Sequence, residues 1–181
     1  VTNTVFNWTN NNTTIGLATS DTGNIPSFTV TNTGPSPQTA TIIATPSFTN
    51  SGVTCIGSSD TFLITVNPIP DISATADQTL CHNTQTTATN FTSSVTNTVF
   101  NWTNNNTTIG LAASDSGNIP SFTVTNTDSL PQTATIIATP SFTNNGLTCI
   151  GSSDTFLITV NPIPDIASVS DQSLCANLLT T

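Results

Sequence analysis

Along most of this chain, large apolar side chains recur at every second position. Phe62, Ile64 and Val66 stand on one side of a run, as do Phe100 and Trp102, with Thr and Asn dominating between them. That period of two marks half-buried strands, and no stripe at helical spacing has useful length. Strands are predicted over residues 72–81, 86–93, 96–103, 121–127, 132–139, 147–150 and 155–160. Clusters such as Asn104-Asn105-Asn106, Ser116-Gly117-Asn118 and Asn144-Asn145-Gly146 separate them, and their side chains tolerate left-handed backbone and cap their own turns. Phe100 and Trp102 share a face of one strand, and Phe156, Ile158 and Val160 a face of another. These residues, with Trp8 as the counterpart of Trp102, are the predicted core, because large aromatics are mostly packed inward.

The pattern occurs twice. Residues 1–87 match residues 95–181 at a period of 94, with about fifteen differences. A unit of that size can bury its own core, so each repeat is expected to be a domain. Seven short strands per unit suit an immunoglobulin-like sandwich, making the expected fold all-β, a tandem of β-sandwich repeats. The joint falls at Asn67-Pro68-Ile69-Pro70 and its copy Asn161-Pro162-Ile163-Pro164, since paired prolines leave a central strand and stiffen a connection. Residues 1–70 then form an incomplete repeat lacking its first strands. Residues 71–164 form a complete one, and residues 165–181 are the first strand of a following repeat or a donor strand.

Charge narrows the function classes. The chain has no Lys or Arg, and its nine acidic residues are all Asp, giving a net charge of −9. Without fixed cations it has nothing to neutralise phosphates, so no nucleic-acid partner and no attraction to anionic membranes are expected. No apolar run approaches the roughly 20 residues that span a bilayer, so no membrane insertion is expected either. With no Lys, Arg, Glu or Tyr and one His, proton transfer and charge stabilisation would fall to Asp, Cys and Ser alone. The chain is expected not to be an enzyme and to carry no cofactor. His82 beside Cys81 becomes Ala176 in the copy, which argues against a thiol pair and against zinc. Asp71 and Asp77 flank the joint, where calcium could stiffen a linker, but the Asp spacing is not that of a calcium loop and solvated acids are the default.

The ordered motifs Phe6-Asn-Trp-Thr-Asn-Asn-Asn-Thr-Thr-Ile-Gly-Leu-Ala, Gly23-Asn-Ile-Pro-Ser-Phe, Thr54-Cys-Ile-Gly, Phe62-Leu-Ile-Thr-Val-Asn-Pro and Asp77-Gln-Thr-Leu-Cys resemble the PKD-like repeats of very long secreted proteins of Bacteroidota. The resemblance covers essentially the whole chain. It implies an extracellular, secreted or cell-surface β-sandwich strung in tandem in adhesins or surface fibres, with no catalytic residues.

Four cysteines in a chain of secreted character point to disulfides. One connectivity joins Cys55 to Cys81 and Cys149 to Cys175. The favoured one joins Cys81 to Cys149 within the complete repeat, with Trp102 between them in sequence, similar to the Cys, Trp, Cys order of immunoglobulin domains. It leaves Cys55 and Cys175 to pair with a neighbouring subunit or repeat. Residues 165–181 copy 71–87, the region the first repeat lacks, so copies of the chain are expected to join head to tail by strand addition. A window from a longer covalent array is the alternative. The expected function is a structural module of an extracellular bacterial filament or giant surface adhesin; the alternative is an adhesive repeat binding glycans or a surface. Sequons at Asn7, Asn11, Asn12, Asn90, Asn101, Asn105 and Asn106, the triplet Asp128-Ser129-Leu130 and the Thr arrays at 29–33 and 39–45 are weak signals of glycosylation or surface recognition.

Overall fold

The structure, a computed structural model, describes residues 2–176. Among them are eleven strands, two single-turn 3-10 helices and no α-helix. In the first repeat β1 (Val5–Asn10), β2 (Ser20–Thr22), β3 (Gln38–Asn50), β4 (Val53–Ile56) and β5 (Asp60–Val66) form one antiparallel sheet. β3 is its spine. β1 lies along residues 42–47 on one edge of it, while β5 takes residues 38–44 on the other edge and β4 takes residues 47–50 beyond β5.

The second repeat holds β6 (Gln78–Cys81), β7 (Val99–Asn104), β8 (Ser114–Ser116), β9 (Gln132–Asn144), β10 (Leu147–Ile150) and β11 (Asp154–Asn161). β7 to β11 pair as β1 to β5 do, and one strand is added. β6 runs parallel to β11, with Gln78 opposite Ile158 and Cys81 opposite Asn161.

A second layer faces this sheet, as in a β-sandwich. Residues 83–91 and 118–124 run antiparallel: Asn83 N–H donates to the Val124 carbonyl, Thr86 N–H to that of Phe122, and Thr89 and Ile119 exchange both bonds. The strands predicted at 86–93 and 121–127 form only isolated bridges, at Gln85 with Thr123 and Thr89 with Ile119. Side chains replace main-chain acceptors there: Phe122 N–H donates to Thr86 Oγ1 and Phe91 N–H to Asn118 Oδ1, which competes with a regular ladder.

Other boundaries also shift. Of the strand predicted at 72–81, only Gln78–Cys81 pairs. β9 runs through Pro140 to Asn144 because β7 pairs with it up to Ser141 and β10 pairs with residues 141–144 once β11 has left its edge at Ala138. The Pro140 carbonyl accepts from Gly151 N–H, just past that point, so the donor that proline lacks interrupts no ladder bond.

The core of the second repeat joins Trp102, Ile136, Phe156 and Ile158 from the sheet to Phe91, Ile119 and Val124 from the facing layer. Phe91 contacts Phe100 and Phe156 with ring centroids 5.5 and 6.4 Å away. The first repeat gathers a smaller cluster around Trp8, Ile15, Ala40, Ile42 and Val66. Both repeats share one local device. Asn104 is buried, donates to the Leu111 and Ala112 carbonyls and accepts from Asn106 N–H; Asn10 does the same in the first repeat. This fixes the turn that carries buried Ile109 or Ile15, closed by Gly110 or Gly16 at positive φ.

Candidate assembly edge

The two repeats differ at the outer edge of their last strand. In the second repeat, β6 and the residues before it cover β11. Leu80 packs against the core cluster. Asp77 accepts from Leu157 N–H at 2.7 Å, and Asp154 accepts from Thr75 N–H at 2.7 Å, so two carboxylates at exposed or half-buried positions tie the segment to the edge. Asp71 accepts from Ser93 Oγ, Ser94 N–H and Ser94 Oγ, and these bonds, Ser93 first, lower its carboxyl from 3.8 to about 2. His82 N–H donates to the Asn161 carbonyl, and its Nδ1 accepts from Asn126 N–H at 2.9 Å.

Among the described residues, no strand pairs with the same edge of the first repeat. Phe62 is 40 % exposed where Phe156 is 1 %, Phe6 is 47 % where Phe100 is 9 %, and Val30 is 53 % where Val124 is fully buried. A groove of about 280 Å³ runs along β5, lined by Val30, Ile64, Val66, Asn67 and two residues of the second repeat, Leu147 and Cys149. These last two reach it because β9 and β10 extend beyond β11 as a hairpin arm directed back at the joint. Asn144 Nδ2 donates to Asn67 Oδ1 at 2.8 Å. Pro68 and Pro70 are fully buried beside the arm. A Cβ on Gly151 would collide with the Pro70 carbonyl oxygen, so glycine permits the contact. Among the described residues, the equivalent arm of the first repeat is less covered: Phe142 is buried where Phe48 is half-buried, and Cys149 is half-buried where Cys55 is exposed. In place of a linker, a cleft of about 290 Å³ lies beside Pro46, Phe48, Cys55 and Gly57.

The chain also carries a second copy of the covering segment. Asp165, Ile166, Asp171, Gln172, Leu174 and Cys175 repeat Asp71, Ile72, Asp77, Gln78, Leu80 and Cys81. Residues 165–176 form no strand, and Ile166, Val169 and Leu174 are exposed, Ile166 at 85 %. Residues 177–181 of the predicted donor lie outside the described residues.

All four cysteines are free thiols. The expected Cys81 to Cys149 bond is corrected by register. Cys81 lies opposite Asn161 at the end of β11 next to Gln132, whereas Cys149 lies opposite Phe142 in the arm. Ten residues along β9 separate those levels, about 30 Å at the rise of a strand, and a disulfide needs Cα atoms within roughly 7 Å.

Trp8 and Trp102 are buried, and their Nε1 atoms have no hydrogen-bond partner. Phe100, Phe156 and Ile158 are buried with Trp102. Asp71 and Asp77 spend their acceptors on protein donors, and no group of three His, Cys, Asp or Glu gathers among the described residues. No helix among them is long and apolar enough to cross a membrane. Sequence reasoning missed Asn10 and Asn104; the alternation that puts Phe100 and Trp102 inward puts Asn104 inward too, and that signal could have found them. Comparison with protein-family models, curated proteins and solved structures gives no significant match.

Proposed function

We propose that the chain is a structural module of an extracellular filament or giant surface adhesin, built from immunoglobulin-like, PKD-like sandwiches that join head to tail. Residues 165–176 of one copy add parallel to β5 of the next. The observation that carries this reading is the contrast between a covered β11 and a bare β5 in a chain that holds a second copy of the cover.

The chemistry of the segment fits the edge. By repeat equivalence Leu174 enters the groove at Val66, Asp171 accepts from Leu63 N–H, and Asp60 accepts from the Val169 N–H of the incoming segment. Covering Val30, which lines the groove, with Leu174 would contribute about 1 kcal/mol. Main-chain pairing supplies affinity and alternate side chains supply register, as in other strand additions. The contact joins two different surfaces and does not close on itself, so repetition gives a thread. The role is mechanical. The chain is not an enzyme, binds no cofactor and has copies of itself as its partner. Lacking Lys and Arg, it also offers no cleavage site to trypsin-like proteases.

The test uses the full chain with all four cysteines changed to Ser, examined by sedimentation and electron microscopy. Threads that lengthen with concentration are expected, and Leu174→Asp, at an exposed position, should abolish them. Monomers at every concentration would overturn the proposal.

A further inference from the structure

The register of β6 and the reach of the arm together fix which cysteines can meet once an edge is covered. This step rests on the strand-addition reading above. In the second repeat Cys81 lies opposite Asn161, and Leu80 beside it turns to the core, so Cys81 points to the outer face. A segment 165–176 docked on β5 in that register sets Leu174 opposite Val66 and Cys175 opposite Asn67. Asn67 is the residue whose side chain is held by Asn144 of the arm. Cys149 lines the same groove, and its cross-strand partner Phe142, which shares its face, is buried. The thiol of an incoming Cys175 therefore arrives beside Cys149, and not beside Cys55, which sits opposite Phe48 at the far end of β3.

The other pair follows from the same geometry one repeat earlier. The docked segment is preceded by Asn161-Pro162-Ile163-Pro164 of the donor. That linker stands to the acceptor's first repeat as Asn67-Pro68-Ile69-Pro70 stands to the second. Pro68 and Pro70 are buried against the arm of the second repeat, whereas the matching cleft by Pro46, Phe48, Cys55 and Gly57 is open. Pro162 and Pro164 of the donor fill it. The acceptor's β3–β4 arm then reaches Asn161 of the donor, beside which Cys81 lies.

We infer that each junction between copies carries two disulfides, Cys175 of the donor to Cys149 of the acceptor and Cys81 of the donor to Cys55 of the acceptor. The general rule is that the first-strand cysteine of one repeat bonds the arm cysteine of the following repeat. All four thiols are consumed, and a bond lies on each side of every internal joint. For each bond both thiols lose their protons and the two sulfurs give up two electrons. A small disulfide of the oxidised-glutathione class accepts them and leaves as two thiols.

The full chain is assembled in a glutathione redox buffer, digested with pepsin, because trypsin has no site, and mapped without reduction. Peptides linking Cys175 to Cys149 and Cys81 to Cys55 are expected, from a covalent ladder on non-reducing gels. Cys149→Ser or Cys55→Ser alone should each leave the ladder through the remaining bond, and the double variant should lose it while still forming threads. Peptides linking Cys55 to Cys175 or Cys81 to Cys149, or free thiols in assembled threads, would overturn the pairing while leaving strand addition standing. Absence of threads from both the wild-type chain and its four-Ser variant would overturn both.

Discussion

Over residues 1–70 and 95–164 the two repeats differ at seven positions, and their sheets pair strand for strand. Yet Phe62 and Phe6 are about half exposed while Phe156 and Phe100 are buried. No substitution at those positions causes this, because the residues are identical. The difference comes from the 24 residues that precede the second repeat's Val95 and supply β6, Phe91 and the 83–91 run of the facing layer. Identical sheets thus acquire different burial according to what covers them.

The comparison breaks most visibly in unfolding. Trp8 and Trp102 are the only tryptophans, one per core, so Trp8→Phe and Trp102→Phe each leave a reporter for one repeat. The signal from Trp8 should be lost at lower urea than that from Trp102, by several kcal/mol given the unequal cores. Coincident transitions would contradict the contrast. Next in size is truncation of the matched aromatics. Phe156→Ala should cost about 3–5 kcal/mol of the second transition, whereas Phe62→Ala in unassembled chain should cost about 1 from the first, since that ring is already half solvated.

A control sharpens the contrast. Asn104→Ala and Asn10→Ala each orphan two carbonyls and one N–H of the same turn, so both should cost about 2–3 kcal/mol in their own transitions. Gly151→Ala pushes a Cβ into the Pro70 carbonyl and should loosen the arm from the joint by about 1–2 kcal/mol. Gly57→Ala meets only the ring of Pro46 and should do less.

The smallest effect is acidic. The carboxyl of Asp71 is lowered to about 2 by Ser93 and Ser94, so its contribution is complete above its unfolded value of 3.8 and is lost as pH falls through about 2. Asp71→Asn should flatten that part of the acid profile of the Trp102 transition and leave the Trp8 transition unchanged.

Much of this was legible in the sequence. Period-two alternation gave the sheet strands β10 and β11 nearly to their ends and β7 with its start three residues early, and the 94-residue match identified residues 165–176 as a second copy of β6 and the residues before it. What escaped it were features set by tertiary pairing. The facing layer at 83–91 and 118–124 has strand composition, but Thr86 and Asn118 intercept its N–H groups. Ser116 falls in the predicted turn cluster with Gly117 and Asn118 and no strand is predicted at 114–115, and only pairing with β7 makes Ser114–Ser116 a strand, β8. Pro140 hid the length of β9, and with it the arm. Without the arm, Cys149 could not be placed, and the order Cys81, Trp102, Cys149 suggested a bond that the register forbids.

The central claim is that β5 is an unfinished edge completed by residues 165–176 of another copy. Amide hydrogen exchange over Asp60–Val66 and Asp154–Asn161, compared between dilute chain and assembled threads of the four-Ser variant, tests it most directly. In dilute chain β5 should exchange faster than β11, and assembly should raise its protection to the level of β11 with little change in β11 itself. Threads in which β5 stays as open as in the dilute chain would contradict the claim.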